Sequence, residues 1–557
     1  MTSEIATATA TATPPSELAE LAETQRSAHA KPDYETTLEE TDDIPKTPVV
    51  KYALTMLATS LFIFVAGFDF TAVVMVLPNI GIKFSNLKSL NWVVTVYMLA
   101  LAAVLPSVRK LVLILGYRAS ITAFTLLYIA GLLMSGATNG FRLLLAGRGI
   151  AGVGAAGCIA ISLIAISETG SHKQRVSGLR VLLFVWNVAS VLGLVAGSHL
   201  GMSTKSAHDG SWRWVFYLNC TLLFIALVLA VMFANAPMPR GRVSEVLARI
   251  DFVGTLLVTG AVLTLILALN FGGDLFNWAS GVVITLLVLA VVLFALFVFV
   301  QAKFSREPIV SRSMFASRSS AALVAAQPFV GMAIYTPVVY IALWYHVVKD
   351  EAQSKAGEYM LAIVLTALGA SAIVSAIIAR TARYAPFVWL SGVLLTLGCG
   401  LLLVLKDTTS SVSPVGLMVV LGLGIGLSIE PHITALHAAM PTMPLSDCIS
   451  LLLSLRLLGG TICIALFNTV MQNNLTTKLA AVVLDHALYY KYILMSVDNH
   501  DVIRLPSVPQ SVRDDVTHAN AEAFKSAFVC CLVFAAVTIP FLLFVRHVPL
   551  SAKLRNM

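Results

Sequence analysis

Residues 63–78 read IFVAGFDFTAVVMVLP, and they place an aspartate, Asp69, inside an apolar run that extends over 52–77. Such a run is long enough to cross about 30 Å of hydrocarbon as a helix. A carboxylate at that depth costs about 2.5–3.5 kcal/mol on insertion scales, so it needs a partner or a task. No basic residue lies close to it in sequence.

The rest of the chain sets the solvent in which that aspartate must be read. Of 557 residues, 58% are hydrophobic and 12% charged, with mean hydropathy +0.86. Soluble domains carry about twice that share of charge, so lipid is the medium for most of this chain. The net charge of +8 does not indicate nucleic acid, because the basic residues fall in short connections rather than on one soluble face. The seven cysteines are scattered, six of them (Cys158, Cys220, Cys399, Cys463, Cys530, Cys531) within apolar runs. They read as small buried residues, with no disulfide framework, metal spacing or cofactor motif. Residues 1–51 differ in kind: TATATATPP and the acids Glu35, Glu39, Glu40, Asp42 and Asp43 predict a disordered tail, without the pattern of a cleaved signal peptide.

Fourteen apolar runs are expected to span, at 52–77, 90–108, 114–137, 141–166, 177–200, 212–235, 249–271, 278–302, 319–345, 357–379, 385–405, 414–437, 447–470 and 524–546. Lysine and arginine concentrate after the even-numbered runs: Arg109/Lys110, Lys173/Arg175, Arg240/Arg242, Lys303/Arg306/Arg312 and Arg380/Arg383. The alternate connections are poorer, with Lys83 and Lys88, then Lys205, then Lys349 and Lys355 beside acids. Positive loops stay cytoplasmic, so both termini are expected inside, including the tail 548–557 with Lys553 and Arg555. The connection 471–523 is then an extracellular loop, and Asn474-Leu475-Thr476 within it is a glycosylation sequon at Asn474.

Depth pairs the intramembrane charges. Asp69 lies about 12 Å from the outer end of its span, and Arg148, in LLLAGRGIAGVGAAG, about 10 Å from the same surface. Arg148 would hold the carboxylate ionised while desolvation opposes the charge, and such opposed influences suit a proton switch. Glu430 and Arg456 fall at matching depths of about 12–14 Å from the inner surface and form a second candidate pair. Asp69, Arg148, Glu430 and Arg456 are therefore the candidate proton-coupling residues. The plainer alternative is that each pair only locks two helices in register.

Other motifs carry less. Gly147–Gly152 and Gly152–Gly157 fit G-x-G-x-x-G, but no strand precedes them, so they predict close helix approach and not a dinucleotide site. His432 and His437 are five residues apart and do not share a helix face as zinc ligands would; His437 shares one with Glu430. Asp447 is expected to cap the thirteenth span. In SWRWVFYLN (211–219), Trp212, Trp214 and Tyr217 are expected as interface anchors.

With these segments in hand, residues 50–547 resemble the major facilitator superfamily, most closely its fungal 14-spanner drug:proton antiporters. FDFTAVVMVLP is similar to the family's first-span motif L-D-x-T-I-V-N-V-A-L-P, matching at Asp69, Thr71, Val73, Leu77 and Pro78. WVVTVYMLAL (92–101), Arg148 with Glu168 and Arg175, WRWVFYLN, NFGGDLFNW (270–278) and LRLLGGTICIALFNTV (455–470) are also family-like. Two motifs depart. In G-x-x-x-D-x-x-G-R-[RK], Arg109 replaces the first glycine, Leu113 the aspartate and Tyr117 an arginine. In the fifth-span G-P-x-x-G-G, Leu194 replaces proline and Ser198 the last glycine.

The resemblance implies an all-α membrane protein with the major facilitator fold. Six-helix bundles at 52–236 and 319–547 would rock around a midplane cavity, with two extra spans inserted at 249–302. The expected activity is proton-coupled efflux of amphipathic small organic compounds, not catalysis, by a monomer in the plasma membrane, or in the vacuolar membrane as the alternative. An importer of siderophore type stays open because the fifth-span proline is lost, and a non-transporting receptor or scaffold because the loop motif after the second span is eroded. Polar residues are sparse in the spans, so Asn187, Gln327, Tyr335, Tyr340 and Asn468 are the expected substrate contacts in a mostly apolar cavity. The expected partners are a small-molecule substrate, protons and the lipid bilayer.

Overall fold

The computed structural model describes residues 49–84, 89–169, 172–200, 211–233, 251–273, 275–305, 312–315, 317–407, 414–441, 443–497 and 500–547. The expectations for residues 1–48 and 548–557, for Lys88, Lys205, Arg240, Arg242, Asp274 and Arg306, and for the bundle boundaries at 236 and 249, lie outside them.

Fourteen helices among the described residues are long and apolar enough to span a membrane. They are α1 (Val49–Phe84), α2 (Asn91–Leu115), α3 (Tyr117–Ala137), α4 (Phe141–Glu168), α5 (His172–Leu200), α6 (Arg213–Phe233) and α7 (Phe252–Phe271). The rest are α8 (Gly281–Lys303), α9 (Arg318–Val347), α10 (Gln353–Thr381), α11 (Ala385–Val404), α12 (Val415–Ala439), α13 (Leu445–Asp485) and α14 (Gln510–Leu543). Only helices satisfy every backbone group within one segment in lipid, and Pro78, Pro328, Pro337, Pro431 and Pro540 all lie inside them. Side chains mark several starts: Asp251 accepts from Gly254 N at 2.7 Å, Ser280 from Val283 N at 3.3 Å and Ser317 from Ser320 N at 3.1 Å.

The packing repeats with an offset of eight helices. In the first half α1 packs on α5 and α6, α4 on α2 and α3, and α3 on α6. In the second half α9 packs on α13 and α14, α12 on α10 and α11, and α11 on α14. Two symmetry-related contacts join the halves, α5 with α10 and α2 with α13. The pair α7 and α8 stands outside this scheme and touches the rest through α7 against α13 and α2. Burial agrees: α1 and α4 are 83% buried over their most apolar window, α8 only 11%. The first two helices are core and the last is a lipid-facing strut.

Glycine permits a close crossing of α3 and α4. A Cβ at Gly154 would overlap the Tyr128 backbone and one at Gly157 the Phe124 ring, so α3 and α4 meet closely only because both residues lack side chains.

Four expectations need correction. The polar stretch 471–523 is largely helical, because α13 runs on to Asp485 and α14 begins at Gln510. Asn474 therefore lies within α13, half-buried, with its amide donating to Val470 O at 2.8 Å, whereas glycan acceptors sit in surface loops. Asp447 does not cap α13; Pro444 holds that position and Asp447 lies in the first turn, drawn to a cation on α2. Trp212 is no interface anchor: it is buried, with its ring 5.9 Å from Phe216 and 6.2 Å from Phe84, while Trp214 is exposed.

Candidate functional site

The side of the protein that carries Arg109, Glu168, Arg175, Lys303 and Arg546 is called the basic side below. Between the two halves lies a central cavity of ≈160 Å³. Ile63 and Phe70 of α1, Asn187 of α5, Tyr335 of α9 and Arg456 of α13 contribute to its lining, among mostly apolar chains. Phe70 meets Tyr335 edge to face at 5.4 Å across the two halves. A vestibule of ≈330 Å³ follows on the basic side, lined by Glu168, Arg175, Arg180, Glu430 and His437. Leu183, Ile433 and Ile449 line both spaces and form the neck between them.

Asp69 and Arg148 meet. Arg148 Nη1 donates to Asp69 Oδ2 at 2.8 Å, and both residues are almost wholly buried. The spans set this pairing because α1 and α4 run in opposite senses and bring the two residues to one level. Arg148 is further held by Val93 O at 3.3 Å and lies 4.2 Å above the Tyr97 ring. Asn219, at the end of WRWVFYLN, donates to Asp69 Oδ1 at 3.2 Å. Its own Oδ1 is buried with no hydrogen-bond partner. Sequence reasoning missed Asn219, although it closes the motif quoted as family-like. The pair sits within the first bundle, behind the cavity wall rather than in it: Phe70 and Thr71 line the cavity, Asp69 does not.

Glu430 and Arg456 do not pair. Arg180 Nε donates to Glu430 Oε1 at 2.9 Å, from α5 of the first half to α12 of the second. Equal depth along the sequence pairs Glu430 with Arg456, but depth says nothing of the direction each side chain takes around its helix. Arg456 instead donates to Gln327 Oε1 and Ser428 O, both at 2.6 Å, and to His432 Nδ1 at 3.2 Å. Gln327 is thus bound behind Arg456, outside the set of cavity-lining residues.

Of the expected substrate contacts, Asn187 and Tyr335 line the cavity. Tyr340 does not: its hydroxyl donates to Ile464 O at 3.0 Å, with its ring stacked 3.9 Å from Phe467 in the second-bundle core. Nor does Asn468, which donates to Asn270 Oδ1 at 3.3 Å; the same oxygen accepts from Asn91 at 2.9 Å. Asn270 so staples α7 to α2 and α13. A span of hydropathic residues marks a lone polar group but not whether it faces a cavity or a neighbouring helix.

The eroded motifs have local roles. Arg109, standing where the family has glycine, donates to Glu168 at 2.8 Å and to Asp447 at 3.2 Å, joining α2, α4 and α13 on the basic side. In α5, Gly193 and Gly197 still let the helix close on α1, while Leu194 is fully buried. Among the described residues no cluster of three or more histidine, cysteine or acidic side chains is placed to hold a metal ion.

Comparison with known proteins agrees with this architecture. Residues 59–250 match the model of the Major Facilitator Superfamily. The chain is 28% identical over 503 residues to the MFS-type transporter ppz2 of Metarhizium majus, covering 89% of this chain and 86% of that protein. It is 26% identical over 504 residues to the efflux pump dotC of Dothistroma septosporum, covering 90% and 86%. The chain has the major facilitator fold. It is a multi-pass membrane transporter whose sequence relatives include fungal efflux pumps. Among solved structures, the bacterial homolog of the human lysosomal transporter Spinster, inward-facing and unoccupied, superposes with a TM-score of 0.63 at 15% identity, covering 89% of this chain and 97% of that one. The xylose transporter XylE from E. coli, partially occluded and inward open, gives a TM-score of 0.54 at 12% identity, covering 83% and 98%. At such identities the likeness is one of fold.

Proposed function

We propose that this major facilitator protein exports amphipathic small organic compounds in exchange for protons, working as a monomer in the plasma membrane with its basic side in the cytoplasm. The observation that carries the coupling is the Asp69–Arg148 pair, buried between α1 and α4 at 2.8 Å. A paired, desolvated carboxylate responds sharply to one proton, because protonation removes the charge that compensates the arginine. Arg148 would then keep Val93 O and the faces of the Tyr97 and Phe216 rings, and the carboxyl O–H would find an acceptor in Asn219 Oδ1, which receives no hydrogen bond in the ion-paired state. Asn219 thus provides a partner for the carboxyl in each protonation state, and the release of α1 from α4 leaves the guanidinium as the uncompensated group. The bundles can then rock about the cavity at their interface.

Efflux is supported by the relatives named as efflux pumps and by a cavity of mostly apolar lining. The replacement of the α5 proline by Leu194 keeps import as the alternative reading, and the sign of flux separates the two.

The test uses proteoliposomes loaded with the pH dye pyranine and challenged with neutral, cationic and anionic amphipaths. At least one amphipath is expected to move protons in the opposite sense through the wild-type protein, and Asp69→Asn to abolish that coupling. Proton-gradient-driven flux that survives intact in D69N overturns the role of Asp69; substrate flux with no proton movement in the wild type overturns the coupling itself.

A further inference from the structure

Arg456 lines the central cavity, and no described carboxylate pairs with it. Glu430, the acid at matching depth, is taken by Arg180 of the other bundle. Every group that receives a hydrogen bond from Arg456 is neutral. Gln327 Oε1 and Ser428 O are carbonyl oxygens. His432 Nδ1 must act as an acceptor, since a guanidinium only donates. The opposite ring nitrogen then carries the proton: Ser391 gives its hydroxyl hydrogen to Val388 O at 2.7 Å, leaving its oxygen to accept from His432 Nε2 at 3.0 Å. The histidine is therefore the neutral tautomer, and adds no charge of either sign.

These bonds use Nε and Nη2 and leave Nη1 without a partner among the described residues. Arg456 is buried yet faces the cavity, so Nη1 is the edge presented to a bound molecule. A buried guanidinium without a counter-charge is costly, and neutral acceptors compensate it only in part. The neutral amide, carbonyl and imidazole hold the planar group fixed, and none of the described residues gives it a compensating anion.

We propose that the central cavity binds amphipathic organic anions, a carboxylate or equivalent oxyanion seating on Nη1 of Arg456 and the apolar body lying against Phe70, Ile334 and Ile449. This narrows the substrate class and rests on the reading of the cavity as the transport pathway. Charge-assisted hydrogen bonds in a dry site are stronger than neutral ones and would set the preference between otherwise equal ligands. Tyr335, which lines the same cavity, supplies a hydroxyl near the same head group.

Three tritiated probes with one apolar body and different heads test this: naphthylacetate, naphthylethanol and naphthylethylamine. Equilibrium binding is measured at neutral pH on the purified full-length chain in detergent. The acid is expected to bind about tenfold tighter than the alcohol, and tighter still than the amine, as one charge-assisted bond implies. Arg456→Gln should remove the preference and Arg456→Lys should keep part of it. The wild-type comparison of the three heads stands even where R456Q does not fold. Equal binding of all three heads, or preference for the amine, overturns the anion inference and leaves the cavity reading in place. Binding of none, or binding undiminished by Asn187→Trp, which fills the cavity, removes the cavity reading and this inference together.

Discussion

Arg180 on α5 and Glu430 on α12 face each other at 2.9 Å across the two bundles, on the vestibule side of the neck formed by Leu183, Ile433 and Ile449. An ion pair in this position holds the bundles together on the basic side, and any opening toward that side must break it. Arg180→Gln and Glu430→Gln are each expected to raise hydrogen exchange in the adjoining turns of α5 and α12. The double variant should add little to either single one, with a coupling of about 1 kcal/mol. Independent, additive effects would show that the two residues do not act as one contact.

Arg109 is the second clasp, and it stands where the family carries glycine. Its guanidinium bridges Glu168 and Asp447, all three being partly exposed. Each exposed pair is worth about 0–1 kcal/mol and weakens with salt. Arg109→Ala would leave two carboxylates facing one another without their cation. It is expected to loosen the α2–α13 contact, read as faster exchange near Asp447, and Glu168→Gln in the same chain should partly reverse this. Unchanged exchange in R109A would mean that packing alone closes this side.

The Asp69–Arg148 pair predicts an asymmetry between its two removals. Arg148→Ala leaves a buried carboxylate uncompensated and should cost about 3–5 kcal/mol, seen as loss of monodisperse protein and a lower Tm in detergent. Asp69→Asn keeps the shape and an amide oxygen to accept from Arg148, beside Val93 O and the Tyr97 ring, so it should cost less than R148A. Adding D69N to R148A should recover part of the lost stability. A double variant no better than R148A alone would argue against charge compensation as the reason for the pairing.

Asn474 should carry no glycan. Its amide is bonded to Val470 O within α13, and a helical, half-buried sequon is poorly presented to a transferase. Protein produced in a fungal host is expected to keep its electrophoretic mobility after endoglycosidase treatment and in Asn474→Gln. A mobility shift in both would require this end of α13 to unwind.

How much of this was legible in advance varies residue by residue. The fourteen spans follow from hydropathy, because a lipid environment admits few alternatives to apolar helices. Depth pairs Asp69 with Arg148, and here depth suffices, since α1 and α4 are packed neighbours. The same argument failed for Glu430 and Arg456, which lie on α12 and α13 but point to different surroundings. Tyr340 and Asn468 read as cavity residues because they are polar in an apolar stretch, whereas Ile464 O and Asn270 are what they serve.

Composition and periodicity determined that this chain lives in lipid, how often it crosses, and at what level each charge sits. Those quantities run along the helix axis, and the order of residues states them directly. Which way each side chain turns, and which helix from the distant half of the chain meets it, was decided only by tertiary packing. Contacts such as Arg180 with Glu430 and Arg109 with Asp447 join residues hundreds of positions apart across the two bundles. The free edge of Arg456 belongs to the same class: it exists because Glu430 is held elsewhere, and no local pattern records that choice.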